Sequence, residues 1–448
     1  MARYHKDILK EDTYFLTGSD DNSLKNVQSA KKAGKSTAEF IAENAKSFQL
    51  LKELLNLSYN QFIRTTEKRH FNGAQKMWSL FKKEDIYKKQ YKGLYCVGCE
   101  EFKTEKDLVD GKCPDHATKP EIVEEENYFF KLSSYQKQLE KLIESDTLEV
   151  VPDYRKNEVL SFIRQGLEDF SISRSQERAC NWGVPVPNDP TQIMYVWVDA
   201  LSNYITALDY AADGELYQKY WLKNENRVHV IGKGILRFHA IYWPAMLMSA
   251  GIPLPTKIFS HEYLTLNGKK ISKTLGNIIN PEEIVEKFGT EGARYVLLSS
   301  LPYHSDGDVT WQGMTEKYNS ELANGLGNLL SRVVKLYPQS NFKIDKAEIE
   351  EVEMLADTEL RALENFNIEQ PLAYLSGLIR EDNKYIEENK PWELAKNDQK
   401  KFEEVMKKLI LDLYQISRIL VPYLPETSEK IKKALEDKKT EILFQRIK

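Results

Sequence analysis

The chain has 448 residues, 41% hydrophobic and 29% charged, with a formal net charge of -5. That length supports two or three domains with their own cores, and the mild acidity confines any nucleic-acid contact to local basic patches. No apolar run approaches the roughly 20 residues of a membrane helix, and the start, Met1 to Asp7, lacks the apolar core of a signal peptide, so a cytoplasmic protein is expected.

In chain order, residues 2–10 read as the tail of a helix. Residues 13–18 read as a buried strand running into Ser19, Asp20, Asp21 and Asn22. Carboxylates just past a strand's carboxyl end sit where open parallel sheets place ligands. A helix is expected from about residue 36, with Ser36 as its N-cap, to 55. An α/β sheet that opens mid-unit in this way is expected to have lost its first strand. Residues 76–90 carry a mixed helical pattern. Cys96 and Cys99, then Cys113 and His116, form two pairs with two residues inside each. Three thiolates and one imidazole complete a closed tetrahedral shell, which implies structural zinc in a reducing compartment. The alternative is three unpaired cysteines and a loop histidine. Cys180 stands alone and reads as a packing residue.

Residues 128–130 read as a short aromatic strand, 135–143 and 157–167 as helices, and 182–187 as a loop. Residues 194–201 are a strand turning into a helix, and 227–234 a strand with a glycine turn. Helix 236–250 is closed by Gly251 and Pro253. This alternation argues for a parallel sheet. Residues 263–266 read as a strand, and Asn267-Gly268 is a strong turn signal. From residue 281 the chain turns helical. Pro281 with Glu282 and Glu283 marks a helix start, and 319–337, 354–366, 371–387 and 401–420 form an α-bundle. The Lys/Glu-rich patches near 343–353 and 396–404 read as solvated faces and linkers.

Three constellations carry chemistry. Lys270 and Lys273 flank Ser272 just after the turn; two mobile ammonium groups suit a phosphate chain whose charge is changing. A solvated basic loop is the plainer reading. Trp197, Ala200, Leu201 and Tyr204 lie within two helical turns at a strand end, and Ile235 and His239 share a face on the next unit. Aromatics favour a thioether, and a His or Tyr proton can point at its sulfur; ordinary core aromatics are the alternative. Asn324, Asn328 and Arg332, spaced four apart, span about 80° of one helix face. Leu322, Leu326, Leu329, Val333 and Tyr337 occupy the other side. Two amides and a guanidinium facing outward suit exposed base edges, with Trp392 as a stacking platform. An exposed polar face and a half-buried Trp are the alternative.

The run Lys270-Ile271-Ser272-Lys273-Thr274 resembles the Lys-Met-Ser-Lys-Ser signature of class I aminoacyl-tRNA synthetases. Five stretches, in the right order, resemble the methionyl-tRNA synthetase family. They are residues 16–20, the Cys/His knuckles, 195–204, 231–248 and the signature loop. The resemblance implies a Rossmann-type parallel sheet, its first strand missing, with a zinc-bearing insertion and a helical anticodon-binding domain behind it. It implies activation of methionine by ATP with Mg2+ and transfer to the methionine tRNA. Lys270 and Lys273 would stabilise the departing pyrophosphate, with Ser272 shaping the loop. Gly232 and His261 would line the adenosine site. Trp197, Ala200, Tyr204, Ile235 and His239 would hold the methionine side chain, and Asp20 its ammonium group. Arg174 matches a family position near that carboxylate, with a surface salt bridge as its alternative. Asn324, Asn328, Arg332 and Trp392 would read the anticodon. The implied division is 1–85 and 169–260 for the split catalytic domain, 86–168 for the insertion, 261–318 for the signature region and 319–448 for the anticodon domain. A monomer is expected, since no further tRNA-binding or dimerisation domain is appended.

The chain departs from that family in one site. A His-x-Gly-His element normally follows the first strand, yet no two of the seven histidines lie within three positions of each other. Asp21-Asn22-Ser23 replaces Glu-His-Gly, Gly234 stands where Asp is usual, and Glu262 where Gly is. Each departure weakens nucleotide contacts. A non-catalytic tRNA-binding paralogue, or one half of a split synthetase, is the rival expectation.

Overall fold

The computed structural model describes residues 1–98, 101–103, 105–114, 118–271 and 279–448. The chain divides into two compact units: residues 14–50 with 59–261, and residues 1–13, 51–58 and 262–448.

In the first unit β1 (Leu16–Ser19) leads through helices α1 (Leu24–Lys32) and α2 (Thr37–Leu54) to β2 (Gln61–Arg64), which pairs with it in parallel. Gly18 leaves no room for a side chain: a Cβ there would meet the Ile63 carbonyl oxygen at 2.3 Å. The sequence reading missed α1, whose start is fixed by Ser23 accepting from the Asn26 amide. Helix α3 (Lys68–Leu80) follows. Next come β3 (Ile86–Cys96), β4 (Glu101–Lys103) and β5 (Glu121–Phe130), an antiparallel set with β3 in the middle. The helical pattern expected to reach residue 90 therefore ends at Leu80, and residues 86–90 are strand. Cross-strand pairing decides this against local propensity. Ten residue pairs join β3 to β5, Lys92 meets Glu124 at 3.2 Å, and Tyr91 packs on Phe129 with ring centroids 5.3 Å apart.

Helix α4 (Gln136–Glu144), strand β6 (Glu149–Val151) and helix α5 (Asp153–Arg164) precede β7 (Phe170–Ser171), which adds to β5. Strands β8 (Ser173–Ser175) and β9 (Pro185–Val186) flank β10 (Asp189–Met194). That places a short strand inside the expected 182–187 loop. Helix α6 (Val196–Thr206), the short α7 (Glu215–Tyr217), β11 (Val228–Gly232), α8 (Trp243–Ala250) and β12 (Lys257–His261) complete the unit. The parallel ladder runs β11-β12-β6. Among the described residues no strand pairs with the second edge of β1 or of β11, and Val230 on β11 is 55% exposed. The core beneath α6 and α8 is built from Val198, Leu201, Ile205, Ile241, Trp243, Met246 and Leu247.

In the second unit β13 (Leu264–Leu266) pairs antiparallel with β14 (Lys269–Lys270) and in parallel with β15 (Gly307–Val309); α9 (Pro281–Leu298) lies between them in sequence. Asn267 and Gly268 both have positive φ, 53° and 70°, the pattern of a tight two-residue hairpin. Helix α10 (Trp311–Lys317) runs through a π-helical stretch (Tyr318–Gly327) into α11 (Asn328–Leu336). Helices α12 (Lys346–Leu360), α13 (Glu369–Asn389), α14 (Pro391–Asn397), α15 (Gln399–Leu420) and α16 (Pro425–Asp437) form the bundle. The patch near 343–353, read as a solvated face or linker, is mostly the exposed start of α12. Asp345 and Glu348 form a capping box there, which stabilises a helix start that composition hid. Leu322, Leu326, Leu329 and Val333 are buried with Phe402, Leu409 and Leu413, and Tyr4 and Ile8 from the first helical turn share that core.

Candidate functional sites

The residues expected to hold an amino-acid side chain lie along α6 and in the turns after β11. Trp197 stacks on Phe238, centroids 4.0 Å apart and planes 9° from parallel. The Tyr204 hydroxyl lies 2.7 Å from His239 Nε2, and His239 Nδ1 lies 2.9 Å from the Ile235 carbonyl oxygen. A carbonyl can only accept, so Nδ1 carries the proton and Nε2 accepts from Tyr204. Burial pulls the His239 pKa down to about 4, so the ring is neutral at pH 7. Behind it, Tyr204 packs on His229 at 4.0 Å, and Trp243 Nε1 donates to His229 Nε2 at 3.2 Å. Burial first, and His239 second, hold His229 well below its usual range. Ala200, on the same helix, is buried.

Four of the five expected residues, Trp197, Tyr204, Ile235 and His239, therefore meet in one uncharged aromatic cluster. One expected detail is corrected: the protons of Tyr204 and His239 are already committed, to His239 and to Ile235. Within this cluster, among the described residues, Trp197 Nε1 is a buried donor without a hydrogen-bond partner. Sequence reading missed Phe238 and His229. Phe238 lies three positions from Ile235, so helical spacing could have found it, whereas His229 is in a strand and its neighbours come from elsewhere in the chain.

Asp20 follows the carboxyl end of β1. It lines a cleft of about 220 Å³ with Gly18, Ser19, Asp21, Asn44 and Phe48, and no member of the aromatic cluster lines that cleft. The adjacent Asp21 is buried. It accepts from Arg64 Nε at 2.9 Å, Thr66 Oγ1 at 2.8 Å and Ser19 Oγ at 2.8 Å. Arg174 is not a surface salt bridge. It is buried, donates to Ser171 Oγ and the Ser173 carbonyl, and lies 4.4 Å over the Tyr195 ring. Gly232 and His261 are register partners at the carboxyl ends of parallel β11 and β12, where such sheets bind ligands.

Cys96 and Cys113 are both buried; Cys99 and His116 lie outside the described residues. The donor chemistry of the four suits zinc. Cys180, read as a packing residue, is instead exposed in a left-handed turn with φ 53°. Lys270 is placed by its backbone in β14, opposite Thr265, while Ser272, Lys273 and Thr274 lie outside the described residues. The hairpin is tied down by Asp308, whose Oδ1 accepts from Thr265 Oγ1 at 2.6 Å and the Gly268 amide at 2.7 Å. These bonds hold Asp308 below the usual carboxylate range.

On the bundle, Asn324 and Asn328 are exposed and Arg332 partly so. Arg332 lies 5.6 Å over the Trp392 ring, and its Nη1 meets Glu387 Oε1 at 2.7 Å. Asn328 Nδ2 donates to Asn383 Oδ1 at 3.3 Å. Three of the four expected residues thus meet α13 or one another, through partners, Asn383 and Glu387, that the sequence reading passed over. Asn324 sits in the π-helical stretch, so the spacing argued at a uniform helical pitch holds only beyond Gly327.

A parallel sheet bearing an aromatic pocket beside its strand ends, with a lysine-bearing hairpin and a C-terminal bundle, defines a class I aminoacyl-tRNA synthetase. The family model described as tRNA synthetases class I (M) matches residues 1–119 and 116–334, and that of the anticodon binding domain of methionyl tRNA ligase matches 340–445. The methionine–tRNA ligase of Caldanaerobacter subterraneus is 40% identical over 445 residues, covering 96% of this chain and 69% of that protein. That of Clostridium acetobutylicum is 41% identical over 439 residues, covering 95% and 67%. The Mycobacterium tuberculosis methionyl-tRNA synthetase bound by methionyl-adenylate superposes with a TM-score of 0.87 at 35% identity, covering 96% and 88%. The chain belongs to the methionyl-tRNA synthetase family, the ligases that join methionine to tRNA. Nothing in these relatives favours a non-catalytic paralogue. Among the described residues no helix is long and apolar enough to cross a membrane.

Proposed function

We propose that the aromatic enclosure of Trp197, Ala200, Tyr204, Ile235 and His239 binds the methionine side chain, and that Asp20 receives its ammonium group. Gly232 and His261 line the adenosine site. Lys270 and Lys273 stabilise the departing pyrophosphate of the Mg2+-bound ATP, and Ser272 shapes their loop. Asn324, Asn328, Arg332 and Trp392 read the CAU anticodon. Zinc, held by Cys96, Cys99, Cys113 and His116, braces the 86–168 insertion. The remaining segments divide as 1–85, 169–260, 261–318 and 319–448.

The observation that carries this reading is the Tyr204–His239–Ile235 hydrogen-bond chain. It fixes a neutral imidazole inside an aromatic wall, so the pocket accepts an uncharged, polarisable side chain. Sulfur–ring contacts are worth about 0.3–1.5 kcal/mol each. A thioether therefore gains over a branched hydrocarbon of similar size.

A parallel strand followed by a His-x-Gly-His element would pair with the second edges of β1 and β11 and complete the phosphate site. The test is methionine-dependent ATP–pyrophosphate exchange, on this chain and on the same chain carrying such an N-terminal extension. Higher exchange with the extension supports the assignment. Equal exchange removes the element from the account, and exchange driven better by another amino acid removes the pocket.

A further inference from the structure

Helix α6 presents its pocket residues on one face and a buried polar pair on the opposite one. Asp199 and Thr206 are seven residues apart, so they lie within about 20° of each other around the helix, whereas Trp197, Ala200 and Tyr204 lie about 100–160° away from Asp199. Both polar residues are fully buried, and both bond to one side chain, His70 of α3. His70 Nε2 hydrogen-bonds Asp199 Oδ1, and Nδ1 lies 2.8 Å from Thr206 Oγ1. His70 is itself fully buried.

The α3–α6 contact is close along its length. A Cβ on Gly73 would come within 2.4 Å of Thr206 Cγ2. Arg69 Nη1 donates to the Ala207 carbonyl at 3.3 Å, and Lys76 Nζ to the Tyr210 carbonyl at 3.0 Å, so α3 also holds the chain just past the end of α6. At the other end no side chain caps α6. Asp199 lies in its first turn, where a carboxylate is favoured by the helix dipole. Its second oxygen, Oδ2, has no hydrogen-bond partner, so His70 is the side chain that anchors this carboxylate.

We propose that His70 is a positioning residue for methionine: by bridging Asp199 and Thr206 on the back of α6, it sets the rotation at which Trp197, Ala200 and Tyr204 face the substrate. Without the imidazole, Asp199 is a buried carboxylate with neither oxygen held, and the first turn of α6 must shift to reach a new donor. Trp197 sits on that turn. This inference rests on the pocket reading above.

The test is calorimetric titration of the full chain with methionine, alongside its affinity for methionine tRNA and its thermal melting. His70→Ala is expected to raise the methionine dissociation constant about tenfold or more, as for a lost hydrogen bond to a charged group, with tRNA affinity unchanged. His70→Gln, which keeps a donor for Asp199, should recover most of that loss. Gly73→Ala, which pushes on Thr206, should reproduce the methionine-selective defect. Thr206→Val keeps the side-chain volume, removes one bond and serves if His70→Ala does not fold; it should weaken methionine about threefold. Unchanged methionine affinity in folded His70→Ala or in Thr206→Val overturns the proposal, as do equal losses for methionine and tRNA. Failure of the unmodified chain to bind methionine would instead overturn the pocket reading.

Discussion

The two regions proposed to recognise methionine and the anticodon are built on opposite principles. The aromatic cluster of α6 is part of a core: Trp243 is fully buried, the imidazoles are neutral, and nearly every polar hydrogen is already bonded. The bundle face is open. Trp392 is 38% exposed, and Arg332 is held by an exposed carboxylate, that of Glu387. Burial gives the pocket a fixed shape, and mutation there should cost fold and function together. The open face leaves its hydrogen-bonding groups wet, so on the proposed reading function there should be separable from stability.

Two tryptophans test that contrast first. Trp243→Ala should destabilise the chain by about 3–5 kcal/mol, the range for removing a large buried aromatic, as measured by urea unfolding. Trp392→Ala should leave stability within about 0.5 kcal/mol. A comparable loss from both would erase the distinction.

Function should then divide the same way. Tyr204→Phe strips His239 Nε2 of its donor and leaves a buried acceptor unpaired, at a cost of about 1–3 kcal/mol, read as weaker methionine binding in calorimetry. Trp392→Ala and Asn324→Ala should each weaken the methionine tRNA by about 1–3 kcal/mol and spare a non-cognate tRNA. Equal weakening of both tRNAs would assign these side chains to backbone contact.

A further contrast is a difference of sign with pH. His239 has its pKa lowered by burial to about 4, so below the usual 6.5 the unfolded chain takes up a proton the folded pocket refuses. Protection of α6 should fall as pH drops from about 6.5 toward 4. In the bundle Asp382 is fully buried, with Lys408 Nζ 2.8 Å from its Oδ1. Burial first, and neighbouring Asp412 second, push Asp382 up to about 7. The folded state then binds the extra proton, so protection of α13 should rise as pH falls from about 7 toward 4. Hydrogen exchange followed by mass spectrometry reads both helices in one sample; parallel changes would contradict these assignments.

The same division explains what the sequence could reveal. Residues on one helix face, such as Trp197 with Tyr204 or Asn328 with Arg332, were legible because spacing alone brings them together. So were the parallel alternation through β11 and β12 and the apolar stripe of Leu322, Leu326 and Leu329. Partners supplied by distant segments were not. His70 reaches Asp199 across 129 positions, and Glu387 reaches Arg332 from another helix. Strand β3 was hidden because its lysines read as a helix surface until the partner strand sets Lys92 opposite Glu124. The π-helical turn at Asn324 was hidden because an apolar pattern does not report pitch.

The most direct test of the central claim is a paired calorimetric titration of the unmodified chain with methionine and with leucine. The neutral aromatic pocket predicts saturable methionine binding and leucine binding weaker by about 1–3 kcal/mol. Indistinguishable affinities, or saturable binding of leucine alone, would contradict it.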